Sequence, residues 1–241
     1  MAQFTVLGIT PTMVADIIAT HANARPRNQQ TQLGPSMLGA ACPRKLAHQH
    51  LGTPPVNTPD PLASWIGTEA HAGMEKALRH NDQWDTEIPV ALPAYNIQGT
   101  ADAYHRPSRT VVDWKFTHPN RIKSVTKNGP GPQYQVQAHT YGLALDMAGT
   151  PVEHVAVVFI PRSGPSTGIH VWTEPLNHQI VEDALRRWEA IRLVAGSDGA
   201  AAIPTADDYC NWCPYFAPEK DTDLGRSCPG HNTQEEGRKR T

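Results

Sequence analysis

The run Val111-Val112-Asp113-Trp114-Lys115 is apolar apart from one carboxylate and one amine two residues apart. Residues two apart on a strand face the same side, so Asp113 and Lys115 present their charges together. A lone buried charge is costly, so such a pair either closes an ion pair at a sheet end or does chemistry. The preceding predicted strand carries Gly99-Thr100-Ala101-Asp102, and a hairpin register sets Asp102 beside Asp113. Two adjacent carboxylates repel each other unless a divalent cation lies between them, which makes the pair a hard-oxygen site suited to magnesium or manganese.

Two further groups stand near this pair in chain order. His71 lies in Gly67-Thr-Glu-Ala-His71-Ala-Gly-Met-Glu75, on the helix that precedes the strands, and is one of 12 histidines. It is read either as a surface histidine or as a third ligand. Gln137 and Tyr141 are four apart in Gln137-Ala-His-Thr-Tyr141 and share one helical face. They suit a core-edge pair or a pair that hydrogen-bonds a phosphate. Glu75 and Glu87 flank the group in sequence as candidates for a supporting role.

The cysteines raise a separate question. Cys42 stands alone, while Cys210, Cys213 and Cys228 cluster near the end. The N-terminus has no basic stretch followed by an apolar one, so a secreted disulfide framework is not expected. Cys210-Asn-Trp-Cys213 has the spacing that points two thiolates at one centre. A zinc ribbon needs a second such pair, and a thioredoxin-like site needs a βαβ setting; neither is present in the sequence. Four cysteines suit one iron–sulfur cluster closed by the remote Cys42, or else they are unconnected buried thiols.

Positioning these groups requires a sizeable core, and 241 residues with 39% hydrophobic content supply one. No apolar run approaches the roughly 18 residues of a membrane span, and Gly and Pro together stay below the share of low-complexity chains. Those features exclude membrane-spanning, collagen-like and mucin-like chains and lead to the expectation of a cytoplasmic protein. The net charge of −2 argues against nonspecific coating of nucleic acid, yet it is unevenly spread. From Ile17 to Pro59 there are four cations and no acid, and from His105 to Gln135 six cations face Asp113 alone. That distribution suits either a basic cleft or solvated loops of both signs.

Periodicity predicts helices over Pro11–His21, Ser36–Leu51, Leu62–His80, Pro132–Met147 and Leu176–Val194. Strands are predicted at Trp84–Val90, Tyr95–Tyr104, Thr110–Phe116, Val152–Ile160 and Gly168–Thr173, with a Pro-rich connector from Gly52 to Pro61. The order points to an α/β fold with a mixed sheet flanked by helices. Residues 1–35 are expected to form an N-terminal helical segment, 36–228 the main domain, and 229–241 a polar, disordered tail.

Gly-Thr-x-x-His, Gly-x-x-Asp, Asp-x-Lys and Gln-x-x-x-Tyr follow in order, with one cysteine before and three after. This series resembles the RecB-like branch of the PD-(D/E)XK nucleases, and more narrowly the iron–sulfur nucleases of the AddB and CRISPR-associated type and their bacteriophage relatives. The resemblance runs from Ser36 to Cys228 and includes the opening Cys42-Pro-Arg44-Lys45. It implies a restriction-endonuclease-like core whose N-terminal helices and C-terminus are joined by a metal cluster. It implies a magnesium or manganese ion held by His71, Asp102, Asp113 and the Trp114 carbonyl, with Lys115 at the attacking water. Gln137 and Tyr141 would orient the scissile strand, with Arg121 and Lys123 near the mouth of a channel. Cys42, Cys210, Cys213 and Cys228 would ligate a 4Fe-4S cluster, although the 15-residue step between the last two departs from the usual short spacing. The implied activity is a DNA exonuclease acting on single strands or ends in recombination, repair or phage DNA metabolism, in a bacterial or phage-infected cell. Two other readings compete: a catalytically silent iron–sulfur nucleic-acid-binding or scaffold module, and a zinc-binding RNA-processing protein.

Overall fold

Prolines open most of the helices. In the computed structural model, which describes residues 10–24, 33–206, 209–218 and 227–231, α1 (Pro11–Asn23), α2 (Pro35–Leu38), α3 (Pro43–His50), α5 (Pro119–Asn128) and α6 (Pro132–Met147) each begin on Pro. The first helical position needs no backbone N–H donor, and the fixed φ of proline suits it. Only α4 (Leu62–Leu78) and α7 (His178–Asp198) start otherwise.

This punctuation accounts for two departures from the sequence expectation. The single helix predicted over Ser36–Leu51 is two helices, because Pro43 lacks a donor and disfavours helical backbone at Cys42 before it. Cys42 sits instead in extended backbone at the cap of α3. Helix α5 was not predicted: its polar, basic run Arg121–Lys127 reads as a loop, yet Ile122 and Val125 are buried from one face. Boundaries elsewhere move by a few residues. Pro93–Tyr95 is a 3-10 turn, for example, so the second strand starts at Ile97.

The five strands β1 (Trp84–Leu92), β2 (Ile97–His105), β3 (Thr110–Thr117), β4 (His154–Pro161) and β5 (His170–Pro175) form one sheet in sequence order. Only the β3–β4 pair is parallel, and α5 and α6 make its crossover. The sheet is therefore mixed and flanked by helices, as expected. On one face Val111, Val155, Val157 and Phe159 pack with α2, α3, α6 and α7 through Leu38, Leu46, Tyr141, Val181 and Trp188. On the other, Val112, Trp114, Ala156 and Val158 pack with Trp84 and with Met74 and Leu78 of α4. Gly39 permits a close approach of backbones, since a Cβ there would stand 2.8 Å from the Gln133 backbone on α6.

Gly230 and His231 line the same pocket as the cysteines, so the packed unit reaches His231; the rest of the predicted tail, 232–241, lies outside the described residues.

Candidate active site and four-cysteine pocket

The antiparallel ladder of β2 and β3 stops at Ala103–Val112. One step further the strands part, and Asp102 Oδ2 accepts a 2.8 Å hydrogen bond from the Trp114 N–H. The split comes where β1 is also distorted. Glu87, opposite Asp102, has φ of 48°, a left-handed conformation that is strained for a residue with a Cβ. Asp102 and Asp113 thus stand at adjacent register positions beside a gap in the sheet, as the hairpin register predicts.

Both helical layers reach this gap. From α4, His71 Nδ1 stands 3.3 Å from Asp102 Oδ1, and its ring meets Phe116 edge-on. From α6, Gln137 donates to Asp113 Oδ1 at 2.8 Å and to the Tyr141 hydroxyl at 2.9 Å. Lys115 Nζ donates to Asp113 Oδ1 at 2.9 Å, lies 2.7 Å from Oδ2, and sits over the Tyr134 ring. Asp102 and Asp113 are buried, whereas His71 and Lys115 are about one-fifth exposed (22% and 20%) and form the solvent side of the site.

Burial raises both carboxyls, and their partners send the net shifts in opposite directions. It pushes Asp113 up to about 6; Lys115 opposes the rise and the Asp102 charge adds to it. Burial also raises Asp102, but the His71 contact, the charges of His71 and Lys115 and the Trp114 N–H together hold it below the usual range. A pair of carboxyls driven apart this way is characteristic of sites built for a cation or for proton transfer.

Two buried atoms at the site, His71 Nδ1 and Asp113 Oδ2, lack a hydrogen bond of good geometry. Unsatisfied oxygen and nitrogen facing adjacent carboxylates fit a hard divalent ion. As they stand, no three His, Cys, Asp or Glu side chains among the described residues are drawn together closely enough to hold one. Lys115 fills the position beside Asp113 instead.

The resemblance-based roles of Tyr141 and Lys123 need correction. Tyr141 is 2% exposed and Gln137 is buried beneath Asp113, so neither reaches a strand lying on the surface. They hold Asp113 from behind. Arg121 borders a groove of about 930 Å³ with Thr117, Tyr134, Arg187 and Tyr209, while Lys123 is exposed on α5 outside it. Nor do the cations of the 105–135 stretch form one cleft: Arg106 bonds Asp85 and Arg109 bonds Glu153. Glu75 pairs with Arg79 on the surface of α4. Tyr134 and Arg162 were not foreseen. Arg162 bonds the carbonyls of Phe116 and Ala63, tying β3 to α4.

All four cysteines are free thiols and line one pocket, together with Lys45, His48, Tyr215, Gly230 and His231. Residues 186 positions apart in sequence, Cys42 and Cys228, thus face the same space. The 15-residue step to Cys228 is closed by backbone: Phe216 and Cys228 form a parallel bridge, Cys228 N donates to the Tyr215 carbonyl, and Ala217 N to that of Cys228. Burial raises the Cys213 thiol, with the neighbouring Cys228 and Cys42 adding to the rise and Lys45 opposing it. Cys228 behaves alike, with Arg44 opposing. Backbone N–H groups also point at sulfur, from His231 to Cys210 Sγ at 3.4 Å, from Tyr215 to Cys213 and from Gly230 to Cys228. Thiols that line one pocket, with N–H donors and cations around them, have the chemistry of a metal–thiolate centre, although as they stand no three of them are drawn together closely enough to hold one. Cys213 and Cys228 are each followed by Pro, and in both the N–H of the next residue turns back on the sulfur.

The chain matches no family model and no curated protein. Among solved structures its fold is similar to that of SSO0001, with a TM-score of 0.51 at 19% identity over 86% of this chain and 95% of the other. It is also similar to the alkaline exonuclease LHK-Exo from Laribacter hongkongensis, with a TM-score of 0.52 at 12% identity over 73% and 93%. The same enzyme in complex with dAMP gives 0.52 at 13% identity. At these identities the likeness is one of fold: the mixed sheet that places Asp102, Asp113 and Lys115 at its gap is an architecture shared with an alkaline exonuclease.

Proposed function

We propose that this protein is a metal-dependent deoxyribonuclease, an exonuclease acting on single-stranded DNA or DNA ends. The observation that carries the reading is the gap in the sheet, where two buried carboxylates, Asp102 and Asp113, meet His71 and Lys115. A structural ion pair has no need of a second buried carboxylate or of an interrupted ladder. The exonuclease fold of LHK-Exo agrees with this choice among phosphoryl chemistries.

Asp102, Asp113, His71 and the Trp114 carbonyl would hold magnesium or manganese, which supplies Lewis acidity and a nucleophilic water near neutral pH. Gln137, backed by Tyr141, keeps Asp113 aimed into the gap. Trp114 N–H and His71 do the same for Asp102. Lys115 is a cation at the gap's solvent side, held by Asp113 and the Tyr134 ring. Its ammonium neutralises negative charge that builds on the phosphate, an effect worth about 3–4 kcal/mol for one such group. Arg121 would steady the strand in the adjoining groove. The four cysteines would hold a 4Fe-4S cluster with a structural role, pinning α3 to the C-terminal segment.

Incubating 5′- and 3′-labelled single- and double-stranded DNA with magnesium, manganese or EDTA tests the reading. Ion-dependent release of short products, lost in Lys115→Ala, supports it. Binding without cleavage under every condition would leave the silent scaffold reading in its place.

A further inference from the structure

His48 is 1% exposed, lines the four-cysteine pocket and has no part in the chemistry described above. It lies on α3 three residues beyond Lys45, one helical turn away, and lines the pocket together with Lys45 and with Cys42 at the cap of that helix. Its ring stacks on Tyr215 at 4.8 Å, and its Nδ1 is 3.1 Å from the Thr53 hydroxyl. Thr53 is held in turn by its own N–H on the His48 carbonyl. The other ring nitrogen, Nε2, is buried and without a partner.

A buried ring nitrogen left unpaired costs about 1–3 kcal/mol, so its neighbourhood should supply what it lacks. Two neutral tautomers are open to the ring. If Nδ1 carries the proton, Nε2 is left with a lone pair in a pocket lined by four electron-rich sulfurs. If Nδ1 accepts from the Thr53 hydroxyl, Nε2 brings an N–H to that pocket. Only the second arrangement is complementary to thiolates and sulfide, and the Thr53 hydroxyl can serve it as the donor to Nδ1. The backbone N–H groups of Tyr215, Gly230 and His231 treat three of the sulfurs in the same way.

We propose that His48 donates an Nε2–H hydrogen bond to a sulfur of the iron–sulfur cluster held in this pocket and thereby sets the reduction potential of that cluster. The inference rests on the cluster reading of Cys42, Cys210, Cys213 and Cys228. A donor to sulfur favours the reduced, more negative cluster, because hydrogen bonds to the sulfurs raise the potential.

The test uses the full chain purified without oxygen. His48→Phe keeps a ring to stack on Tyr215 and removes both nitrogens. His48→Gln returns an amide N–H near the place of Nε2. Thr53→Val leaves the ring and removes the hydroxyl that can donate to Nδ1 when Nε2 carries the proton. Iron and sulfide per chain and the midpoint potential are measured for each. The expected result is unchanged iron and sulfide in His48→Phe with reduction about tenfold less favourable, which is about 59 mV for a one-electron couple. His48→Gln should recover most of that fall, and Thr53→Val, which disturbs packing least, should show a smaller fall in the same direction. An unchanged potential in both His48→Phe and Thr53→Val, with the cluster intact, overturns the donor role and leaves the cluster reading standing. Loss of iron in His48→Phe with retention in Thr53→Val makes His48 a ligand and also overturns it. A wild-type chain that carries zinc or no metal overturns the cluster reading, and this inference with it.

Discussion

Replacing Asp113 by Asn should abolish cleavage and make the ion-free protein more stable. In the unfolded chain this carboxyl ionises near 3.8, and in the fold near 6. Between those values the folded form holds more proton, so stability falls as pH rises through the window and the loss is complete above about 7. At roughly 1.4 kcal/mol per pH unit, the charged form carries close to 3 kcal/mol of disfavour, with the attraction of Lys115 already counted. Asn keeps the acceptor for Gln137 and removes the charge. Its amide N–H₂ group faces Lys115, which reduces the gain to about 1–3 kcal/mol, at about 2–4 °C per kcal/mol for a chain of this size. Thermal melting in EDTA reads this directly. At pH 8 Asp113→Asn should melt several degrees above wild type, and the difference should close near pH 4–5. Manganese should raise the wild-type midpoint by binding only the folded form and leave the variant unmoved. A variant that melts at or below wild type at pH 8 in EDTA would refute the idea that this buried carboxylate is retained against stability.

Three other outcomes follow from the same geometry. Tyr141→Phe should keep the packing and lose only the hydroxyl that Gln137 engages, so activity should fall a few-fold with DNA affinity unchanged; a selective loss of binding would restore direct contact with the strand. Cys42→Ser and Cys228→Ser should bleach the anaerobic protein alike and lower its melting temperature, since a centre bound only by the folded chain contributes to stability; a coloured Cys228→Ser protein with full iron would remove that residue from the centre. Gly39→Ala should destabilise by about 1–3 kcal/mol through overpacking, because its Cβ would meet the Gln133 backbone at 2.8 Å; an unchanged denaturant midpoint would show that α2 and α6 can part without loss.

The sequence makes legible whatever depends on side-chain alternation or on spacing along one element. Asp113 and Lys115 share a strand face because they are two apart, and the hairpin that precedes them places Asp102 opposite. The sheet and its long helices follow from hydrophobic period in the same way. What escapes is set by contacts between distant elements. Helix α5 carries charge on most of its surface and buries only Ile122 and Val125, too weak a period to separate from a loop. Tyr141 reads as a substrate group because Gln and Tyr four apart share a face, but spacing within α6 does not say whether that face meets solvent or β3. It meets β3, and burial converts the pair from a contact for DNA into a support for Asp113.

The cysteines show the complementary case, in which one-dimensional spacing misleads and the backbone explains. A step of 15 residues between Cys213 and Cys228 appears too long for one centre. The chain cancels it by laying Cys228 beside Phe216, with hydrogen bonds running from Cys228 to Tyr215 and from Ala217 back to Cys228. The loop between them therefore adds length without separating the thiols. Each Cys-Pro step then removes one N–H and leaves the next, at Tyr215 and at Gly230, turned onto the sulfur. Spacing alone compares these cysteines with shorter motifs and finds a mismatch. Donors counted around each sulfur find two equivalent knuckles, which is why Cys228 is expected to behave as an equal partner of Cys213.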